Sequence, residues 1–119
     1  ESGGRPRPPA GRFIQVSAGD LHSCAVRLGG RLVCWGDDSM GQSSPPAGPF
    51  VQVSVGALHS CALGLDGAIV CWGLNNLGQT DAPRGRFRQV SAAGLHSCGV
   101  DLAGAERCWG GVQATGGVR

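Results

Sequence analysis

The chain has 119 residues and a net charge of +2, so it forms one domain at most and its charge is too small to indicate a nucleic-acid partner. No apolar run approaches the roughly 20 residues that a membrane-spanning helix needs. We therefore expect neither nucleic-acid binding nor a membrane span. The 22 glycines indicate many turns and close backbone approaches.

A repeat of 37 residues organises the chain, because five columns of residues recur at that spacing. The columns are Phe13, Phe50 and Phe87; His22, His59 and His96; Cys24, Cys61 and Cys98; Cys34, Cys71 and Cys108; and Trp35, Trp72 and Trp109. We divide the chain into repeat 1 at 13–49, repeat 2 at 50–86 and repeat 3 at 87–119. Residues 1–12 read as the tail of a truncated repeat, and repeat 3 diverges after Gly110.

Each repeat is predicted to form three short strands separated by glycine-rich turns. In repeat 1 the strands are expected at 13–18, 23–27 and 32–36, followed by a loop rich in Gly, Ser and Pro at 37–49. Helical periodicity is absent. The pattern indicates an all-β chain of three propeller-type blades of short antiparallel strands, either an incomplete propeller or a related β-solenoid.

Repeat 2 carries the motifs of a known family. It reads VSVGALHSCAL over 53–63, then Asp66 and Gly67, then CWGLNNLGQ over 71–79. This pattern resembles the β-propeller repeats of the regulator of chromosome condensation family, in a disulfide-containing, extracellular form. The resemblance extends from Phe13 to Gly110. The family typically has about seven repeats, so the resemblance implies a propeller that is incomplete here.

The cysteines fall into three pairs ten positions apart, and hairpin geometry decides whether a pair can bond. A three-residue loop over 65–67, with Gly67 in the left-handed region, places Cys61 opposite Cys71. Gly30 and Gly104 occupy the same turn position in the other copies. We therefore predict the disulfides Cys24–Cys34, Cys61–Cys71 and Cys98–Cys108, which indicate an extracellular or periplasmic setting. The alternative, zinc held by His22, Cys24 and Cys34, lacks a fourth ligand and Cys-x-x-Cys spacing.

The histidines and tryptophans are predicted to be structural. A general base needs a nucleophile or an orienting carboxylate nearby, and no acidic residue recurs with the histidines. In the resembling family this histidine is bonded to blade backbone. The tryptophans are predicted to pack between blades, with a sugar- or base-stacking platform as the alternative. Arg84, Arg86 and Arg88 form a small basic cluster that is expected to be solvated, or to contact an acidic partner.

The leading functional hypothesis is a non-enzymatic, secreted structural or interaction protein without a cofactor, metal or catalytic residue. Three blades cannot close a ring, so we expect the chain to associate with itself head to tail, as a ring or a filament. The terminal blade faces are expected to carry the same Phe, Val and Trp columns as those buried between internal blades. The alternative is a module that binds a carbohydrate or protein ligand. A guanine-nucleotide exchange role, which the resemblance alone suggests, is a third hypothesis.

Overall fold

The computed structural model describes residues 12–111, which form nine β-strands and no helix. The strands are β1 (Phe13–Ala18), β2 (His22–Arg27), β3 (Leu32–Gly36), β4 (Phe50–Val55), β5 (His59–Gly64), β6 (Ile69–Gly73), β7 (Phe87–Ala93), β8 (His96–Asp101) and β9 (Glu106–Gly110). The predicted tail at 1–11 and the divergent end at 112–119 lie outside the described residues. No described segment is a helix long and apolar enough to cross a membrane.

Each repeat forms its own three-stranded antiparallel sheet, and the three sheets do not join into a ring within the described residues. We call β1–β3 blade 1, β4–β6 blade 2 and β7–β9 blade 3. The predicted all-β architecture of propeller-type blades is confirmed. The second strand begins at His22 rather than at residue 23, a difference within the usual uncertainty of strand ends.

The outer hairpin of each blade has the predicted register. Cys24 faces Cys34, and Cys61 faces Cys71, with the paired Cα atoms 4.0 Å apart. The turn closes with a hydrogen bond from the amide of Gly64 to the carbonyl of Ala68. Gly67 has a φ of 92°, in the region that a residue without a Cβ adopts most readily.

The inner strand of each blade contains a bulge directly after its phenylalanine. In blade 2 the pairing shifts between Phe50 and Gln52. Phe50 and Val53 are three positions apart, so a regular strand would direct them to opposite faces of the sheet. The bulge instead allows Phe50, Val53 and Val55 to enter one buried cluster.

The apolar core lies between blades rather than within them. We call the face that carries the disulfide the forward face of a blade, and the face that carries the phenylalanine and tryptophan its back face. Cys24, Val26 and Leu32 on the forward face of blade 1 pack against the back face of blade 2. The forward face of blade 2 packs in the same way on Phe87 and Ala92 of blade 3. Each blade therefore depends on its neighbours to bury its apolar surface.

Candidate functional site: the faces between blades

A chain of hydrogen bonds crosses the interface between blades 1 and 2. The Nε2 atom of His22 lies 2.7 Å from the hydroxyl oxygen of Ser60. That hydroxyl donates to the backbone carbonyl of Gln42 at 3.1 Å, so the imidazole must donate to the serine. The indole N–H of Trp72 donates to the same carbonyl at 2.9 Å. The carbonyl of Gln42, in the loop of blade 1, thereby accepts from two residues of blade 2, and one of these, Ser60, also accepts from His22.

The same chain recurs between blades 2 and 3. His59 Nε2 lies 2.9 Å from the hydroxyl of Ser97, which donates to the carbonyl of Gln79 at 2.9 Å. Trp109 donates to that carbonyl at 3.0 Å. The histidine partner is thus a serine side chain of the next blade, whereas the family resemblance implied blade backbone.

Burial keeps the imidazoles of His22 and His59 neutral. Both side chains are almost completely excluded from solvent, and the Nδ1 atom of each has no hydrogen-bond partner among the described residues. Desolvation lowers the pKa of His22. It lowers the pKa of His59 to about 4 against the raising effect of the His96 backbone, and the charges of the neighbouring histidines lower the pKa of His59 further. A protonated ring would bury a charge and an unpaired N–H group.

The His22–Ser60 pair does not have the arrangement of an activated nucleophile. The proton of the Ser60 hydroxyl is directed at the carbonyl of Gln42 rather than at the imidazole. Both side chains are also buried, at 1% and 0% exposure, so a substrate has no access to them. Nucleophilic catalysis needs a base that accepts the proton of the nucleophile at an accessible position. This geometry instead fastens two blades together.

Two further columns of polar side chains fasten each interface. The Gln15 amide accepts from the backbone N–H of Val53 at 2.6 Å and donates to its carbonyl at 2.8 Å. Gln52 accepts from the N–H of Val90 at 3.1 Å in the next interface. Ser17 and Ser54 accept from the inner strand of the following blade, from the backbone N–H groups of Val55 and Ala92. Sequence reasoning did not assign these glutamines and serines a role, although they recur every 37 residues.

The outer faces of the array repeat these elements. Gln89 and Ser91 on the forward face of blade 3 are exposed, and neither side chain bonds to any residue within 12–111. Together with Val100 and Glu106 they line a concavity of about 200 Å³. On the back face of blade 1, Val16 is 55% exposed, whereas its counterpart Val53 is 2% exposed. Within residues 12–111, the forward face of blade 3 and the back face of blade 1 are therefore two interface halves that no other blade covers.

The expected Phe, Val and Trp columns lie on the back face of each blade, so the outer face of blade 1 carries them and the outer face of blade 3 does not. Glu106 stands where Leu32 and Ile69 pack in the other blades, and it is exposed. The back face of blade 1 does keep its Phe13, Val16 and Trp35. At this one position the forward face of blade 3 is acidic where the other two blades are apolar.

All six cysteines form the three predicted disulfides, and none is free. Cys98 and Cys108 lie close to the carboxylate of Glu106, but their sulfurs are bonded to each other. A disulfide sulfur is not the thiolate that binds zinc. The zinc alternative therefore loses its cysteine ligands.

The remaining candidate residues lie at the periphery. The three tryptophans are half-buried, and the indole N–H groups of Trp72 and Trp109 are occupied as described above. The basic cluster of Arg84, Arg86 and Arg88 is exposed. An open apolar groove of about 440 Å³ lies beside the loop that enters blade 2, lined by Pro49, Phe50 and Leu65 among others.

The geometry defines a protein built of propeller blades whose polar and apolar contacts are concentrated between blades. The model of the regulator of chromosome condensation (RCC1) repeat matches residues 13–42 and 50–79, about half of the chain. The chain belongs to this repeat family. No curated protein sequence matches it significantly.

Solved structures place the chain beside two plant receptors. It resembles the ectodomain of the receptor kinase CR4 from Physcomitrella patens, with a TM-score of 0.71 and 33% identity, over 82% of this chain and 29% of that one. It also resembles the CRINKLY WD40 ectodomain of the receptor kinase ACR4 from Arabidopsis thaliana, with a TM-score of 0.73 and 30% identity, over 89% of this chain and 39% of that one. The chain thus spans less than half the length of either ectodomain.

A third structure shares the fold alone. Yeast RCC1 (Prp20), solved bound to Kap60, has a TM-score of 0.72 and 18% identity, over 83% of this chain and 32% of that one. At this identity the likeness does not extend to the partner of the yeast protein.

Proposed function

We propose that the chain is a non-enzymatic, extracellular interaction protein that associates with a second copy head to tail, with blade 3 of one copy on blade 1 of the next. The observation that carries the proposal is the repetition of the interface on the outer faces. Gln89 and Ser91 repeat the side chains with which Gln15 and Ser17 hold the next blade. The contact would thus reuse a geometry that the chain already contains twice.

The residues that would receive these groups are also present. By the repeat, Gln89 meets the backbone of Val16, Ser91 meets the N–H of Ala18, and His96 approaches Ser23. The exposed side chain of Val16 gains a partner, and burying it contributes roughly 25 cal/mol for each Å² of apolar surface. Two copies would give a ring of six blades; a rotation that does not close would give a filament.

An extracellular location is supported by two independent observations. Three disulfides are rare in a reducing cytoplasm. The structural neighbours with the higher identity are ectodomains of receptor kinases. Both support an interaction role outside the cell rather than nucleotide exchange in the nucleus.

A second candidate function is the binding of a protein ligand at the loop edge of the array. Leu21, Met40, Leu77 and Leu95 are 41–48% exposed, and Leu77 and Leu95 both approach Gly111 at this edge. Exposed apolar side chains in a row are typical of protein-binding surfaces. A glycan platform is less well supported, because two of the three indole N–H groups are already bonded.

Sedimentation velocity of the whole chain over a range of micromolar concentrations tests the proposal. We expect a concentration-dependent oligomer, which Gln89→Ala weakens roughly tenfold because two backbone groups lose their partner. Arg84→Ala, in the exposed loop between β6 and β7, is the matched control and should leave association unchanged. A folded wild-type monomer throughout this range would refute head-to-tail association.

A further inference from the structure

Glu106 and Arg27 are departures from the repeat at positions that face each other across the head-to-tail contact. At the position of Glu106, blades 1 and 2 carry Leu32 and Ile69. At the position of Arg27, blade 2 carries Gly64 and blade 3 carries Asp101. Within the described residues only blade 3 has an acid at the first position, and only blade 1 has a base at the second. In blade 3 an arginine at a different position, Arg107, lies over the phenylalanine.

The internal interfaces show where these two positions lie. A Cβ atom built on Gly99 would meet the Cδ1 atom of Ile69 at 2.7 Å and the ring of Phe87 at 2.9 Å. The side chain at the Ile69 position therefore reaches the phenylalanine of the next blade. When a second copy docks by the same geometry, Glu106 takes the place of Ile69 and Phe13 takes the place of Phe87.

On blade 1, Arg27 pairs with Phe13 and lies beside it. Its guanidinium carbon lies 5.2 Å from the centre of the Phe13 ring, on the back face of the blade. A carboxylate beside the ring of Phe13 would therefore have this guanidinium nearby. Arginine holds a carboxylate well in such a setting, because it stacks on the ring with its plane and donates N–H groups from its edge.

The geometry points to an ion pair between Glu106 of one copy and Arg27 of the next, which makes the contact selective for a second copy of this chain. This inference rests on the proposed head-to-tail association and names its specificity-determining residues. An RCC1-type blade with a small or acidic residue at the Arg27 position leaves Glu106 desolvated without a partner, and such a loss disfavours the wrong pairing.

The rival explanation is that Glu106 keeps a terminal blade soluble. Terminal units of repeat proteins commonly have a polar outer face, and an exposed glutamate there discourages any association. The two explanations predict opposite effects of restoring the apolar residue of the repeat. Glu106→Leu weakens association if the glutamate pairs with Arg27, and strengthens it if the glutamate only prevents contact.

Charge reversal provides the decisive experiment. We expect Glu106→Arg and Arg27→Glu each to weaken self-association at least about tenfold in sedimentation velocity at low salt. An equimolar mixture of the two variants should associate like the wild type. In alternating order, one contact pairs the new arginine with the new glutamate, and the other pairs the original Glu106 with the original Arg27. Circular dichroism melting of each variant verifies that the blades remain folded.

The outcomes separate this inference from the proposal beneath it. Restored association in the mixture, together with weaker association of Glu106→Leu, supports the ion pair. A wild type that associates while the single variants associate equally well, or a stronger contact in Glu106→Leu, overturns the ion pair and leaves head-to-tail association intact. A wild type that stays monomeric overturns both.

Discussion

At the scale of single residues, stability depends on a neutral imidazole buried between two blades. His59 donates to Ser97 through Nε2, while its Nδ1 atom has no partner within the described residues. The single N–H group of the neutral ring is hydrogen-bonded, whereas the cationic ring would have a second N–H group that is buried and unpaired. The histidine column therefore links the contact between blades to pH.

We predict that acid destabilises the array through His59. The pKa of His59 is about 4 in the folded chain, against an ordinary value of 6.5 that applies when the chain is unfolded. Below pH 6.5 the unfolded chain binds the proton more readily, so the stability that the neutral ring contributes is lost as the pH falls from 6.5 through about 4. The full loss from this one group is about 3 kcal/mol.

Chemical denaturation between pH 7.5 and 4 measures this loss. His59→Gln retains an N–H donor for Ser97 but does not titrate, so its stability should vary less with pH than that of the wild type. NMR titration of the His59 ring provides a direct check. Equal pH dependence of the wild type and the glutamine variant would contradict the role given to His59.

At the scale of elements, the hairpins could be predicted from sequence but the contacts between them could not. Turn length and the position of Gly67 determine the register that brings Cys61 opposite Cys71, because both are local properties. The serine that receives the histidine lies 38 residues away in another sheet. Its identity depends on the rotation between blades, which no local pattern specifies. The recurrence of Gln15 and Gln52 was the available signal, and it indicates importance without indicating the partner.

The two internal interfaces balance side-chain size differently. Blade 1 places Leu32 opposite a blade that has Ala62, whereas blade 2 places Ile69 opposite Gly99. The extra space beside Gly99 is taken by the Cδ1 atom of Ile69. The residues at these positions have to be considered as pairs, because well-packed interiors do not accept added volume without strain.

We predict that Gly99→Ala destabilises blade 3 by about 1–2 kcal/mol, although alanine is the residue of the other two copies. The new methyl group would meet Ile69 and Phe87 at less than 3 Å. Ile69→Val removes the Cδ1 atom and should relieve this clash. The double variant should therefore lose less stability than the two single variants lose together. Urea unfolding of the wild type, the two single variants and the double variant gives the coupling free energy between Gly99→Ala and Ile69→Val. Additive effects would mean that the two residues do not compete for this space.

At the scale of the whole molecule, the array is a row of blades whose stability lies largely in two shared interfaces. The repeat predicts the apolar back face of blade 1, because Phe13, Val16 and Trp35 follow the columns. It does not predict the forward face of blade 3, where Glu106 interrupts the Leu and Ile column. A periodic pattern describes the average blade and does not predict how a single copy departs from it.

The disulfides allow the stability that packing between blades contributes to be separated from the stability that the cross-link itself contributes. Cys61–Cys71 and Cys98–Cys108 both join residues ten positions apart, so removing either releases a loop of the same size, at a cost of about 2–3 kcal/mol. Their surroundings differ. Cys61 is fully buried against blade 3 and its sulfur lies 3.3 Å from the hydroxyl of Ser97, whereas Cys108 is exposed on the outer face.

We therefore predict that replacing Cys61 and Cys71 by alanine destabilises the chain by about 1–2 kcal/mol more than replacing Cys98 and Cys108, because only the first pair leaves a cavity between blades. Denaturation should be measured at a dilution where the chain is monomeric, since association would bury the outer disulfide as well. Blade 2 shares an interface with both neighbours, so its loss should also unfold them together, whereas blade 3 can loosen alone. Equal destabilisation on replacing either pair would show that the disulfides stabilise the chain only as cross-links and that their packing between blades contributes little.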